Sequence, residues 1–285
     1  MELLEALGRE SLVLGPTPLV EDERLACALG LDRRLFVKRD DLTGPALGGN
    51  KVRKLEYLLA DASAAGADCL VTVGAAQSNH ARLTAVLGTA SGFEVHLVLG
   101  GDAPDEFEGN LLLDELAGVA LHFAGTEQWD ALGDQVDATV KNLESEGRKP
   151  YTIPLGGSTV IGALGYVRCY LELSNQLAEA KVGADWVVHA SSTGGTQAGL
   201  LAGRALLGGG PRVYGVDVSK GVVELQKSVQ DLANATLGHL GVRASIDNED
   251  ILTSDFAGPG YGAVTEEAAR ALKTALRASG ILTDP

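Results

Sequence analysis

Six short β-rich runs, each separated from the next by a stretch with helical character, constrain this chain more than any other feature. The runs are RLFVKRD (34–40), CLVTV (69–73), EVHLVLG (94–100), VALHFA (119–124), DWVVHAS (185–191) and RVYGVDV (212–218). Helices are expected at 51–65, 79–91, 105–117, 127–146, 162–180, 196–207 and 265–279, several opened by Asn, Asp or Thr and closed near Gly. Such alternation predicts an α/β fold with parallel sheets. At 285 residues the chain is long enough for a sizeable core and two lobes, and no repeat or low-complexity linker divides it.

The charge excludes several tasks. A formal net charge of -15 argues against binding a phosphate backbone, which needs a cationic face, so neither nucleic acid nor an anionic membrane is an expected partner. Cys27, Cys69 and Cys169 are far apart and lack CxxC spacing, which argues against a disulfide framework and a zinc site. Cys69 reads as a core residue. MELLEALGRES carries acids where a secretory leader needs bases, and no apolar run reaches transmembrane length, so a cytoplasmic location is expected.

In open α/β sheets ligands bind where strands end and helices begin. Three such loops stand out. In GGNKVRKLEYLLA (48–60), Asn50 is expected to cap a helix whose first turns carry Lys51 and Lys54 on one face, pointing toward the strand ends. Val52, Leu55, Leu58 and Leu59 form the core stripe. A cation at a helix N-terminus opposes the macrodipole, so Lys51 is either poorly placed or used in another chemical form. GPALGGNK is not a P-loop, since Asn50 stands where that motif requires Lys.

In VGAAQSNHARLTA (73–85), Gln77, Ser78, Asn79 and His80 cluster where a helix begins; Ser78 taken alone reads equally as an N-cap. In SSTGGTQAGL (191–200), small residues expose successive N–H groups beside Thr193 and Thr196, which is phosphate-cradle chemistry without a GxGxxG fingerprint. A reactive lysine, a polar cluster and a phosphate cradle together suit a phosphorylated aldehyde held as a Schiff base, and pyridoxal 5'-phosphate fits that description. A lysine that must act as a neutral base gains from a positive helix end.

KRDD…GGNKxRKLE, QSNH, GGS…GALGYV (156–167), STGGTQAG and GPGYG, in that order, resemble the fold type II pyridoxal-phosphate enzymes of the D-cysteine desulfhydrase and 1-aminocyclopropane-1-carboxylate (ACC) deaminase family. The resemblance implies two parallel-sheet α/β lobes with the cofactor in the cleft between them. The larger would be discontinuous (1–52 and 162–285) and the smaller would span 53–161. It implies Lys51 as the Schiff-base lysine and Asn79 as partner of the cofactor's ring hydroxyl. Thr193, Gly194, Gly195 and Thr196, with Lys54, would hold the phosphate. Ser78, Asn79, His80 and Tyr261 would face a small amino-acid substrate, with Ser78 and Tyr261 also counted as catalytic. A homodimer is the expected assembly, and no metal is expected.

KRDD and QSNH favour the desulfhydrase branch, whereas Gln197, where desulfhydrases often have His, and Thr159, in place of the common Asn, depart from it. The implied reaction is β-elimination from D-cysteine, giving pyruvate, ammonia and sulfide. The alternatives are L-cysteate sulfo-lyase, ACC deaminase and, more remotely, a cofactor-binding protein impaired in turnover. Relatives continue past ILTDP through a VYTGKA- or VYEGKS-like segment that carries a tyrosine and the pyridine-nitrogen partner, and the sequence here ends before it. His96, His122 and His189 in strand-like runs and His239 in a polar loop read as structural or solvated.

Overall fold

The computed structural model describes residues 2–218, 221–259 and 263–284. The chain opens with helix α1 (Glu2–Glu5), strand β1 (Leu19–Glu21), helix α2 (Glu23–Ala28) and strand β2 (Phe36–Lys38). β1 and β2 pair antiparallel, with Val20 opposite Val37. The 34–40 run is therefore not a strand of the parallel alternation, which corrects the sequence reading. It finds a local partner upstream instead, and antiparallel neighbours need no long crossover.

From Asn50 onward the alternation holds. It runs through α3 (Asn50–Ala64), β3 (Cys69–Ala75), α4 (Asn79–Ala90), β4 (Glu94–Gly100), α5 (Gly109–Leu116), β5 (Ala120–Phe123), α6 (Trp129–Ser145) and β6 (Pro150–Ile153). These four strands form a parallel sheet in the order β5-β4-β3-β6, with Val71 opposite both His96 and Thr152. β3 and β4 sit inside the sheet and are almost wholly buried, which is why they read as continuous apolar runs rather than alternating ones.

The second half comprises α7 (Val160–Glu179), β7 (Trp186–Ser191), α8 (Gly195–Leu206), β8 (Arg212–Asp217), α9 (Val222–His239), β9 (Leu252–Asp255) and α10 (Glu266–Ser279). Its parallel sheet has the order β7-β8-β9. One face of that sheet packs on the helices; the other leaves Trp186 and Val188 exposed. α9 was not expected from the sequence, and His239 closes this helix rather than sitting in a loop. β1, β6 and β9 were also unforeseen, and α5 starts four residues later than expected, at Gly109.

α3 joins the two halves. Its Val52, Leu55, Leu58 and Leu59 enter the core around β3 and β4, while Tyr57 packs in the core around α7, α8 and α9. The helix that carries Lys51 is thus fixed from both sides. No helix among the described residues is long and apolar enough to cross a membrane, and no cluster there has the make-up of a metal site.

Candidate active site

The N-terminus of α3 is set by a backbone only glycine accepts. Gly48 has φ +64°, and a Cβ there would lie 2.3 Å from the carbonyl oxygen of Asp41. Gly49, not Asn50, is the N-cap, and it offers no side chain to the helix. Asn50 is instead the first helical residue: its Nδ2 donates to Thr196 Oγ1 at 3.2 Å, and its Oδ1 accepts from Lys51 Nζ at 3.1 Å. Lys51 is thereby tied, through Asn50, to the start of α8.

Lys54 sits one turn further on and is only 2% exposed, inside the protein rather than on its surface. Its Nζ donates to the Gly156 carbonyl at 2.9 Å and lies 3.4 Å from Ser158 Oγ, which in turn meets Thr193 Oγ1 at 2.6 Å. Among the described residues no carboxylate pairs with it. Burial, and then the neighbouring Lys51, push its pKa well below the ordinary lysine range. α8 begins at Gly194 and Gly195 with no side-chain cap, so its first N–H groups are left open. A buried amine with no carboxylate beside it, two hydroxyls and an uncapped helix end converge on one point, which is the donor set of a phosphate site.

Gly195 leaves room for that site. A Cβ there would come within 2.5 Å of Ser158 Oγ and 2.8 Å of Lys54 Nζ. Gly195→Ala is therefore expected to weaken phosphate binding by about tenfold or more, the loss of at least one charge-assisted hydrogen bond. The same Cβ would lie 3.0 Å from Ser158 Cα, so a modest fall in melting temperature is expected as well. Titration with inorganic phosphate alongside a thermal melt checks both expectations.

The loop after β3 supplies the third side. Ser78 is the N-cap of α4, its Oγ accepting from Ala81 N at 3.2 Å. Asn79 follows at the first helical position, where its Oδ1 accepts from Asn110 and its Nδ2 donates to Asp284. His80 is buried with Nε2 3.0 Å from Thr72 Oγ1, and burial, then Lys51 and Lys54, hold it well below the usual histidine range and so neutral. Tyr261 lies outside the described residues. Lys51, Lys54, Ser78, Asn79, His80, Thr193, Gly194, Gly195 and Thr196 are otherwise gathered around one junction of α3, α4 and α8. The sequence reading missed Ser158, Asn110 and Asp284 as members of it. GGS pointed to Ser158; nothing local marked the other two.

Lys51 has the electrostatics of a reactive amine. Burial lowers its pKa to about 8, against the pull of Asp284 and with a small push from Arg82. Half of it is then neutral near pH 8, where an ordinary lysine, with a pKa of about 10.4, is charged. The neutral form is the nucleophile, so the rate of modification of Lys51 by an amine-directed reagent should rise with pH to a midpoint near 8. Peptide mapping across a pH series checks this, with exposed lysines as the internal reference.

The comparisons with known proteins agree with this chemistry. Residues 10–285 match the family model described as "Pyridoxal-phosphate dependent enzyme". The chain is 40% identical over 290 residues to the D-cysteine desulfhydrase of Salmonella choleraesuis, covering 99% of this chain and 85% of that protein. It is 37% identical over 284 residues to a putative 1-aminocyclopropane-1-carboxylate deaminase of Pyrococcus abyssi, covering 99% and 84%. The crystal structure of an ACC deaminase homologue superposes with a TM-score of 0.91 at 36% identity, over 100% of this chain and 84% of that one. The two parallel sheets are those of a fold type II enzyme, and the donor set around Lys54 fits the cofactor's phosphate. The chain therefore belongs to the pyridoxal-phosphate-dependent enzymes, in the family of the D-cysteine desulfhydrases and ACC deaminases.

Proposed function

We propose that this enzyme catalyses β-elimination from D-cysteine, releasing sulfide and leaving pyruvate and ammonia after hydrolysis. The observation that carries the reading is the pairing of an amine of pKa about 8, Lys51, with the phosphate cradle of Lys54, Ser158, Thr193 and Thr196 one helical turn away. Pyridoxal phosphate, when bound, supplies an aldehyde for the substrate amine and a ring that takes up the electron pair left when the Cα–H bond breaks. The chain's residues do the rest. Lys51, freed and neutral, accepts the Cα proton at Nζ. Ser78, which caps α4, favours the substrate carboxylate at that helix end, and Asn79 beside it faces the cofactor's ring hydroxyl. The buried, neutral His80 adds no competing charge beneath that loop.

The desulfhydrase branch is preferred on KRDD and QSNH. Gln197, which departs from that branch, is fully buried with Nε2 on the Leu252 carbonyl at 3.0 Å. The departure thus falls in the packing of α8 against β9. Thr159 caps α7, its Oγ1 accepting from Gly162 N at 3.0 Å, a role Asn also fills. On the same reading the smaller lobe spans 53–161 and the larger comprises 1–52 and 162–285.

The test is 2-oxo acid release by the cofactor-loaded protein with D-cysteine, L-cysteate and ACC side by side. Pyruvate with sulfide from D-cysteine supports the proposal. Pyruvate with sulfite from L-cysteate, or 2-oxobutyrate from ACC, replaces the substrate and keeps the enzyme class. Cofactor uptake with no product from any of the three sinks all three assignments and favours a binding role.

A further inference from the structure

The direction of the Asn79 amide is fixed by a short chain of donors and acceptors that begins at a backbone carbonyl. Asn110, in the first turn of α5, places Nδ2 2.8 Å from the Gln77 carbonyl oxygen. A carbonyl oxygen only accepts, so the atom facing it must be the amide nitrogen, and the orientation of Asn110 follows. The same Nδ2 lies 3.1 Å from Oδ1 of Asn79, which must therefore be the carbonyl end of that side chain. The NH2 group of Asn79 is turned the other way, toward the carboxylate of Asp284, to which it donates. Two further bonds lock the frame: Asn110 N donates to Gln77 Oε1 at 2.9 Å, and Gln77 Nε2 donates to the Glu108 carbonyl at 3.0 Å.

We propose that Asn110 and Asp284 are positioning residues for the cofactor, holding Asn79 so that it presents an N–H and not a carbonyl to the ring oxygen of pyridoxal phosphate. This rests on the reading above, in which Asn79 faces that ring. An amide nitrogen has two hydrogens; Asp284 takes one and leaves the other for the cofactor. Without Asn110 and Asp284 the amide is free to turn its carbonyl inward, where it would repel a ring oxygen that carries negative charge. The carboxylate of Asp284 also acts on Lys51 and Arg82, so it ties the Asn79 amide to the charge balance around the reactive amine.

The experiment uses Asn110→Asp, which keeps the shape and loses both bonds donated by the side chain, and Asp284→Asn, a change at an exposed position that keeps an acceptor and removes the charge. Three quantities are measured: the dissociation constant for pyridoxal phosphate, the pH at which the bound cofactor's visible absorbance changes, and the side-chain NH2 resonances of Asn79 in 15N-labelled protein without cofactor. Asn110→Asp is expected to weaken cofactor binding about tenfold, one hydrogen bond's worth, and to shift both the absorbance midpoint and the Asn79 resonances. Asp284→Asn is expected to shift the resonances and the midpoint with a smaller loss of affinity. If Asn110→Asp does not fold, Asp284→Asn carries the test alone. A lowered melting temperature with unchanged affinity, midpoint and resonances would make the contacts merely structural and overturn the proposal. No cofactor uptake by the unmodified protein would overturn the reading beneath it, and the proposal with it.

Discussion

Replacing Lys51 by alanine lowers 2-oxo acid release by at least about 1,000-fold, the range a positioned general base supplies, while the protein folds and melts as before or slightly higher. The second half of that expectation follows from where the lysine sits. Lys51 contributes one side-chain hydrogen bond, to Asn50, and its charge is desolvated beside the positive end of α3. Removing a cation from that end is worth a few tenths of a kcal/mol to about 1 kcal/mol in favour of the fold. Activity and stability should thus move in opposite directions, as at a residue held in place for chemistry. Lys51→Arg separates charge from basicity. Arginine keeps the cation but stays protonated across the accessible pH range, so it cannot accept the Cα proton. Steady-state assays on both variants, with thermal melts of the same preparations, check this. Residual turnover in Lys51→Arg within tenfold of the unmodified enzyme would exclude Lys51 as the base.

How much of this site could be read from the sequence depended on how local each signal was. Lys51, Lys54, Ser78, Asn79 and the 193–196 loop lie in strand-to-helix or turn-to-helix segments whose chemistry is written within a dozen residues, and the fold brings them together. Asn110 and Asp284 reach Asn79 from 31 and 205 residues away, and nothing in their own neighbourhoods marks them. Asn50 reads as a cap because its type suits that position, yet Gly49 takes the turn and frees Asn50 to bridge Lys51 and Thr196. Among the elements, α9 is the instructive miss. Leu225, Val229, Ala233 and Leu237 recur every fourth residue and are all fully buried, so the periodicity was present. What was lacking was a start signal: Gly221 precedes the helix without a side-chain cap. β6 begins with Pro150, which reads as a turn, although proline is tolerated as the first residue of a strand.

Arg53→Met should lower stability by about 3–5 kcal/mol, the range for breaking a buried ion pair from one side. Arg53 is 2% exposed and is held at five points: Nε and Nη2 donate to Asp40 at 2.8 Å each, Nη1 and Nη2 to Glu172 at 3.1 and 3.0 Å, and Nη2 to Thr17 Oγ1 at 2.9 Å. Without the guanidinium, Asp40 keeps neutral donors, the hydroxyls of Thr17 and Tyr166 and the thiol of Cys169, while Glu172 keeps Lys38. At 2–4 °C per kcal/mol for a chain of this size class, the melting temperature falls by on the order of 10 °C. The pH dependence supplies an independent check. Burial favours the neutral form of Glu172, but Arg53 and Lys38 prevail and hold its carboxyl at about 2. A carboxyl lowered by folding contributes stability above its unfolded value near 4.3, and that contribution is lost as pH falls toward 2. The gap between the two proteins should therefore be widest at neutral pH and narrow between about pH 4 and 2. Adding Asp40→Asn and Glu172→Gln to Arg53→Met tests the cause. Recovery of most of the loss means that uncompensated buried charge was responsible; no recovery means that the packing of the arginine itself holds α3 against α7, and Lys51 with it.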